Sequence, residues 1–414
     1  MKVLVVGSGG REHALAHFLA QDAHVREVLI ASGNGGTHSC ARAIHTDGYA
    51  ALVREASKEN VDLVVVGPEA PLAAGLADNL RSAGIAVFGP GKEGARLEAS
   101  KAYAKAFMTK HGVPTAAFGT FVDQDKALDY LREQGAPIVV KDSFLAAGKG
   151  VTVAFEESVA EEAIRALFQK PNAEVVLEEY LAGQELSVHV VTDGAHAITL
   201  PLAQDHKQIG EGDTGPMTGG MGAVAPVPLL TPPQLTELED RLIAPVLRGL
   251  ERDGIAYKGA LFLGVMWTEQ GPKLLEINVR FGDPETQTLL PLLDGSLFAM
   301  FEAVEQRTLD RWQPLWKPDT VAATVVLAAP GYPGDYPKDL PIRLAESREL
   351  DTWVFHAGTR LNGSSLLSSG GRVLSVTALD ESMERTVAKA YREVDRIELP
   401  GGVTRRDIGG RFLR

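Results

Sequence analysis

Four short apolar runs, Val3–Val6, Val28–Ile30, Leu63–Val66 and Ile85–Phe88, punctuate the start of the chain, with helical segments such as Glu12–Leu19 and Pro71–Ser82 between them. Runs this short, without polar alternation, suit strands covered on both faces, as in a parallel sheet wrapped by helices. The alternation of strand and helix predicts a small doubly wound α/β domain at the N-terminus. At 414 residues the chain is too long for one core, and about two to four domains are expected.

A net charge of −13 and a pI near 5.3 speak against a nucleic-acid partner or an acidic membrane surface, but leave room for local phosphate sites. No apolar run approaches the length of a membrane span. Met1–Val6 is broken at once by Gly7 and reads as a strand, not a signal peptide. A lone cysteine, Cys40, excludes an internal disulfide and fits a reducing compartment, so a cytoplasmic enzyme is expected.

Several stretches carry chemistry. Gly7-Ser-Gly-Gly-Arg-Glu12 follows the first strand and opens the first helix, where backbone amides favour an anion. Glu12 stands where a dinucleotide fingerprint needs its third glycine, and a plain strand-to-helix turn is an equal alternative. His13 and His17 have metal-ligand spacing but no third ligand nearby. Gly67–Pro71 ends a later strand, where doubly wound sheets gather binding loops. Gly91–His111 reads as one helix whose Ser100, Lys101 and Lys105 have a solvated basic face as their ordinary explanation.

Beyond Val113-Pro114 a smaller α+β unit begins. Asp123 caps a helix running to Gly135, and strands Ile138–Lys141 and Val151–Phe155 flank a small, glycine-rich, basic connection. Such a loop can close over a polyphosphate while Lys141 and Lys149 supply charge, although it is not a Walker A loop and a flexible hairpin remains open. Val175–Leu181 is a strand ending in two acids, an aromatic and an apolar residue. The run 204–222 is so dense in Gly, Asp and Thr that it reads as a site loop or a disordered one. A helix around Leu235–Glu251 starts at Thr231-Pro-Pro and kinks at Pro245. In the stretch 273–285, period-two reading puts Leu275, Ile277, Val279 and Phe281 on one face and Glu276, Asn278 and Arg280 on the other. A carboxylate and an amide oxygen two residues apart suit Mg²⁺, and Arg280 suits a phosphate or carboxylate; a half-buried strand with a solvated face explains the pattern equally well.

A lysine before a glycine-rich hairpin, a strand of acids and a Glu-x-Asn strand, in that order, resemble the ATP-grasp enzymes. The runs GSGGREHAL, VGPEAPL, LEASKAYAK, LAAGKGV, EEYLAGQE, QDHK, DTGPMTGGMGA, RFGDPETQ, PGYPGD, FHAGT and GGRVLSVTAL span essentially the whole chain. They narrow the resemblance to the phosphoribosylamine–glycine ligase family. The resemblance implies an N-terminal α/β domain (1–114), an ATP-grasp lid (115–188), a central ATP-grasp domain (189–320) and a small C-terminal α/β domain (321–414). It also implies that ATP is bound by Lys101, Lys141, the loop Leu145, Ala146, Ala147, Gly148, Lys149 and Gly150, the strand end Glu178, Glu179, Tyr180 and Leu181, and Glu185. Glu276 and Asn278 match the ligands of Mg²⁺ or Mn²⁺, and Arg280 and Lys141 the catalytic cations. Gly9, Gly10, Pro68, Glu69, Asp213, Thr214, Gly215, Gly219, Gly220, Arg280, Asp283 and Glu285 would surround glycine and 5-phosphoribosylamine. The implied reaction passes through glycyl phosphate to glycinamide ribonucleotide, in a monomer with no nucleic-acid or membrane partner. Another ATP-grasp carboxylate–amine ligase and a non-catalytic nucleotide-binding relative are the alternatives. Phe144 replaces a usual glycine, the acid Asp142 sits one place early, Met217 stands for a usual Asn, and Gln169–Ala173 shortens the lid.

Overall fold

The computed structural model describes residues 1–146 and 150–413. The expected doubly wound domain is present as five parallel strands in the order Arg42–Ile44, Glu27–Ser32, Lys2–Gly7, Leu63–Val66 and Ala86–Phe88. The apolar runs of its central strands, Val3–Val6 and Leu63–Val66, are buried throughout. Two expected helices are each divided. Gly75, at φ +87°, separates Glu69–Ala73 from Leu76–Ser82, a conformation that a residue with a Cβ resists. Ser100 ends Lys92–Ala99 and caps Lys101–Lys110, accepting the Tyr103 N–H at 3.1 Å. The division turns Lys101 and Lys105 towards the molecule's interior.

The smaller unit is a four-stranded antiparallel sheet, ordered Phe118–Phe121, Val175–Glu179, Ile138–Asp142, Val151–Ala154, under helices Gln124–Gln134 and Glu157–Phe168. Asp123 caps the first of these as expected. This unit keeps its own small core around Leu128, Val140, Ile164 and Leu177, whereas the first sheet and the strands beyond residue 184 share larger cores.

A second four-stranded sheet runs Ala197–Thr199, Gln184–Thr192, Gly259–Thr268, Gly271–Asn278. A five-stranded sheet combines Gln204–Asp205 and Gly222–Ala225 with Val321–Ala328, Arg372–Asp380 and Thr352–His356. The glycine-rich run 204–222 is therefore ordered. It contains the hairpin Gln208–Gly210 with Thr214–Met217 and feeds the buried strand that begins at Gly222. Where one helix kinked at Pro245 was expected, a π-helical turn, Glu239–Ile243, joins helices Pro232–Leu238 and Ala244–Arg252, and Pro245 lies in the first turn of the second.

One strand departs from simple alternation. Gly271–Asn278 is bulged against its neighbour: Gly264 faces Glu276 while Val265 faces Leu274. The extra residue reverses the phase, so Leu274 joins Ile277 and Val279 in the core and Leu275 turns to the cleft. Glu276 and Asn278 keep the cleft-facing positions that the alternation assigned them.

Candidate active site

The strand Gly271–Asn278 and its continuation to Glu285 form the floor of a cleft of about 640 Å³, within the usual range for small-molecule sites. Towards its start the floor meets lysines. Lys105 and Lys141 grip the two oxygens of Glu178, each at 2.8 Å, and all three side chains are almost fully buried. Burial alone would raise the Glu178 carboxyl; Lys141 and Lys105 outweigh it and hold the group ionised below its usual range. Burial brings Lys105 down to about 8, against the pull of Glu178. Lys105 also donates to the Thr115 hydroxyl at 2.7 Å, so the solvated-face reading of this lysine is overturned. Lys101 sits one turn earlier and is held by the carbonyl oxygens of Asp142 (2.8 Å) and Phe144 (3.2 Å). The unusual Asp142–Phe144 segment is thus a pedestal for Lys101. Asp142 also accepts the Phe144 N–H at 3.1 Å and pairs with Lys170 at 2.6 Å.

In the middle of the floor, Glu276 lies beside Asn278, whose amide donates to it at 3.4 Å. Burial would raise the Glu276 carboxyl, but Lys207, Lys141 and Lys101 together hold it at about 2. Lys207 bridges Glu185 and Glu276. An ionised carboxylate next to an amide oxygen offers hard donors for a divalent cation, and Mg²⁺ needs few of them when water and phosphate complete its shell. Groups of three or more His, Cys, Asp or Glu arranged for a metal are absent among the described residues. His13 instead accepts the His356 N–H at 2.8 Å and is packed against its ring.

Past Asn278 the lining changes to interlocked acids and arginines. Arg280 pairs with Glu98 at 2.9 Å and with Glu69 at 3.4 Å, and Glu98 also accepts the Val279 N–H at 2.7 Å. Burial raises Glu98 to about 6. Arg372 donates to the carbonyl oxygens of Gly219 and Asp283, each at 2.6 Å, and pairs with the Asp283 carboxylate at 3.4 Å. Glu285 accepts the Ser187 hydroxyl at 2.9 Å, and burial raises both it and Asp205, the latter further under the charge of Glu285. At the start of the first helix Glu12 accepts the Gly9 N–H at 2.6 Å and pairs with Arg11 at 2.5 Å. A Cβ at Gly67 would lie 2.1 Å from a Glu12 oxygen, so that glycine is required by close packing.

Of the residues named from sequence, Lys101, Leu145, Ala146, Gly150, Glu178, Gly9, Pro68, Glu69, Gly219, Glu276, Asn278, Arg280, Asp283 and Glu285 line the cleft. Lys141 and Glu185 stand just behind it, through Glu178 and Lys207. Others are turned elsewhere. Gly10 packs on Gln287, and Gly220 packs on Pro284 and gives its carbonyl to Arg372. The Glu179 N–H is taken by Ala117, Tyr180 packs edge-on to Phe155, and Leu181 is buried. Asp213, Thr214 and Gly215 belong to the hairpin turn outside the cleft lining, with Asp213 bound by Arg405 and Arg411. Ala147, Gly148 and Lys149 lie outside the described residues. The cleft adds Arg11, Glu12, Glu98, Lys105, Asp205, Lys207 and Arg372. Lys105 was accessible from its i, i+4 spacing to Lys101; Arg372, 89 residues from the Asp283 it holds, had no local signal.

Comparison with known proteins agrees with this architecture. Models of phosphoribosylglycinamide synthetase match in three consecutive parts: the N domain over residues 1–98, the ATP-grasp (A) domain over 99–286 and the C domain over 322–411. The phosphoribosylamine–glycine ligase of Agrobacterium fabrum is 46% identical over 415 residues, covering 99% of this chain and 98% of that protein. The chain belongs to the phosphoribosylglycinamide synthetase family. Within that family, the crystal structure of phosphoribosylamine–glycine ligase from Thermotoga maritima superposes with a TM-score of 0.85 at 34% identity, covering 99% of this chain and all of that one. The biotin carboxylase domain of Hydrogenobacter thermophilus 2-oxoglutarate carboxylase, solved with MgADP, ADP and bicarbonate, has a TM-score of 0.74 at 18% identity, covers 97% of this chain and 91% of its own, and shares the fold alone. Among the described residues, no helix is long and apolar enough to cross a membrane.

Proposed function

We propose that this chain joins glycine to 5-phosphoribosylamine, with cleavage of ATP to ADP and phosphate, in the cytoplasmic synthesis of purines. The observation that carries the reading is the floor strand, which takes Glu276, Asn278 and Arg280 from a lysine wall to an acid–arginine wall within one cleft. A carboxylate is a poor electrophile, so glycine must first be activated. A glycine oxygen attacks the γ-phosphorus, the bond to ADP breaks, and glycyl phosphate forms. The amine of phosphoribosylamine then attacks the acyl carbon, and phosphate leaves with that glycine oxygen while the amine loses a proton.

Lys101, Lys105 and Lys141 neutralise the triphosphate, with Glu178 holding the last two at fixed positions. Glu276 and Asn278 would hold Mg²⁺ or Mn²⁺, which neutralises phosphate charge as it develops. Arg280, fixed by Glu98 and Glu69, faces the carboxylate of glycine, and the acids Asp205 and Glu285 suit its ammonium. The Gly7–Gly9 turn, Arg11 and Arg372 suit the ribosyl phosphate. Enclosure limits loss of the acyl phosphate to water.

Steady-state ADP release with each substrate omitted in turn tests the reading. Release that needs ATP, glycine and phosphoribosylamine together is expected. Release indifferent to glycine or to phosphoribosylamine would point to another carboxylate–amine ligase and end this assignment.

A further inference from the structure

The hairpin Gln208–Met217 continues into Thr218 and Gly219, and Met217, Thr218 and Gly219 form part of the cleft wall. Its outer end makes little contact with the sheet beneath. Thr214, Gly215 and Pro216 are exposed, and the turn residue Asp213 has a left-handed φ of +56°. A turn so placed needs an external hold if the residues that follow it are to keep one position. The C-terminal segment supplies that hold. Arg405, only 1% exposed, forms a two-pronged pair with Asp407 at 2.8 and 2.6 Å. Its remaining nitrogen donates to the Gln208 carbonyl at 3.1 Å and the Asp213 carboxylate at 3.0 Å. Around it, Asp407 accepts the Gly212 N–H at 2.8 Å, Glu211 accepts the Arg406 N–H at 3.1 Å, and Arg411 pairs with Asp213.

We propose that residues 405–411 act as a strap that positions the Met217–Gly219 wall for the phosphoribosylamine half-reaction, with Arg405 as its positioning residue. The proposal rests on the function proposed above. The first strand of the hairpin, through the Gln208 carbonyl, and its turn, through Asp213, converge on one buried guanidinium, whose planar fork can hold a carboxylate and a carbonyl together. From Asp213 the chain runs within six residues to Gly219, whose carbonyl is gripped by Arg372 at 2.6 Å and whose N–H donates to the Tyr332 hydroxyl at 3.0 Å. The strap thus fixes the outer end of the segment whose inner end Arg372 fixes. Asp213 then acts through Arg405 and does not itself meet the substrate.

The test uses the full chain and a double-mutant cycle. R405M is expected to raise the KM for phosphoribosylamine about tenfold while the KM for ATP stays within about twofold. R405K, which keeps the charge but not the fork, falls between. D213N shifts the same constant in the same direction, and R405M/D213N is no worse than R405M alone, because the two residues form one unit. Additive effects would mean that Asp213 touches substrate directly, and would overturn the proposal. An unchanged phosphoribosylamine KM in R405M would overturn it too. If R405M does not accumulate as folded protein, R405K takes its place in the cycle with D213N, and additive effects there would again overturn the proposal. Failure of the underlying reaction would appear separately, as wild-type enzyme that releases no ADP. In that case hydrogen exchange over 208–217 still tests the strap, with faster exchange in R405M expected and unchanged exchange contradicting it.

Discussion

The two ends of the cleft differ in how their charges are balanced. At the lysine end Lys105 and Lys141 share one buried carboxylate, Glu178, while Lys101 rests on carbonyl oxygens and, with Lys141 and Lys207, faces the Glu276 carboxylate. At the other end three arginines, Arg11, Arg280 and Arg372, stand among six acids, Glu12, Glu69, Glu98, Asp205, Asp283 and Glu285. The lysine end carries a surplus of positive charge that a polyanion would satisfy. The arginine end is balanced or acidic, which suits a molecule carrying charge of both signs. Glycine is such a molecule and ATP is not. Burial also acts differently: it lowers a lysine's pKa at one end and raises those of acids at the other.

The largest effect is expected where the ends meet. Glu276→Ala removes the carboxylate assigned to the metal, and turnover should fall by about three orders of magnitude or more, with the circular dichroism melt little changed. Turnover equal to the parent's would remove Glu276 from the site's chemistry. Next is Lys105→Met, which leaves Glu178 with one lysine; the KM for ATP should rise about tenfold and that for glycine little. The same lysine gives a pH dependence. Its folded pKa of about 8 lies below the ordinary value of 10.5 because burial disfavours its charge. The bound proton is therefore lost as pH rises through about 8, and the KM for ATP should climb there in the parent but not in K105M. Between these two values the unfolded chain binds the extra proton, so this group's contribution to stability rises with pH across the same window. Glu98→Gln should do the reverse of K105M, lowering kcat/KM for glycine about tenfold by loosening Arg280 while sparing ATP. A shift in the ATP constant instead would erase the distinction between the ends. Least affected is Lys170→Ala: Lys170 itself is half exposed, and Asp142 keeps the Phe144 N–H, so stability should fall by no more than about 1 kcal/mol.

Much of the first domain and of the floor strand was legible because both depend on local patterns. Unbroken apolar runs specify buried parallel strands, and alternation put Glu276 and Asn278 on one side of theirs. The bulge at Leu274 and Leu275 escaped because both residues are leucine, and only the partner strand reveals which one is buried. Ser100 broke a helix because its hydroxyl caps better than it continues, a choice fixed by its bridge to Phe144 in a different unit. The lysine end had a local signal, the spacing of Lys101 and Lys105 within one helix, but spacing alone left these lysines to a solvated face, and only the fold shows Lys105 buried against Glu178. At the other end alternation marked Arg280, but Arg372 had no local mark, and both arginines find their partners only when separate sheets and helices come together. Asp213 is a different case: a turn rich in polar residues reads as a binding loop, and in the fold its carboxylate pairs with Arg405 and Arg411 from the C-terminal segment.

The activation of glycine by ATP is tested most directly with glycine labelled with ¹⁸O in its carboxylate. If a glycine oxygen attacks the γ-phosphorus and departs with phosphate, each turnover should deliver one ¹⁸O atom to inorganic phosphate, read by mass spectrometry alongside glycinamide ribonucleotide. Phosphate released at the same rate without label would show that no acyl phosphate forms, and would contradict the account.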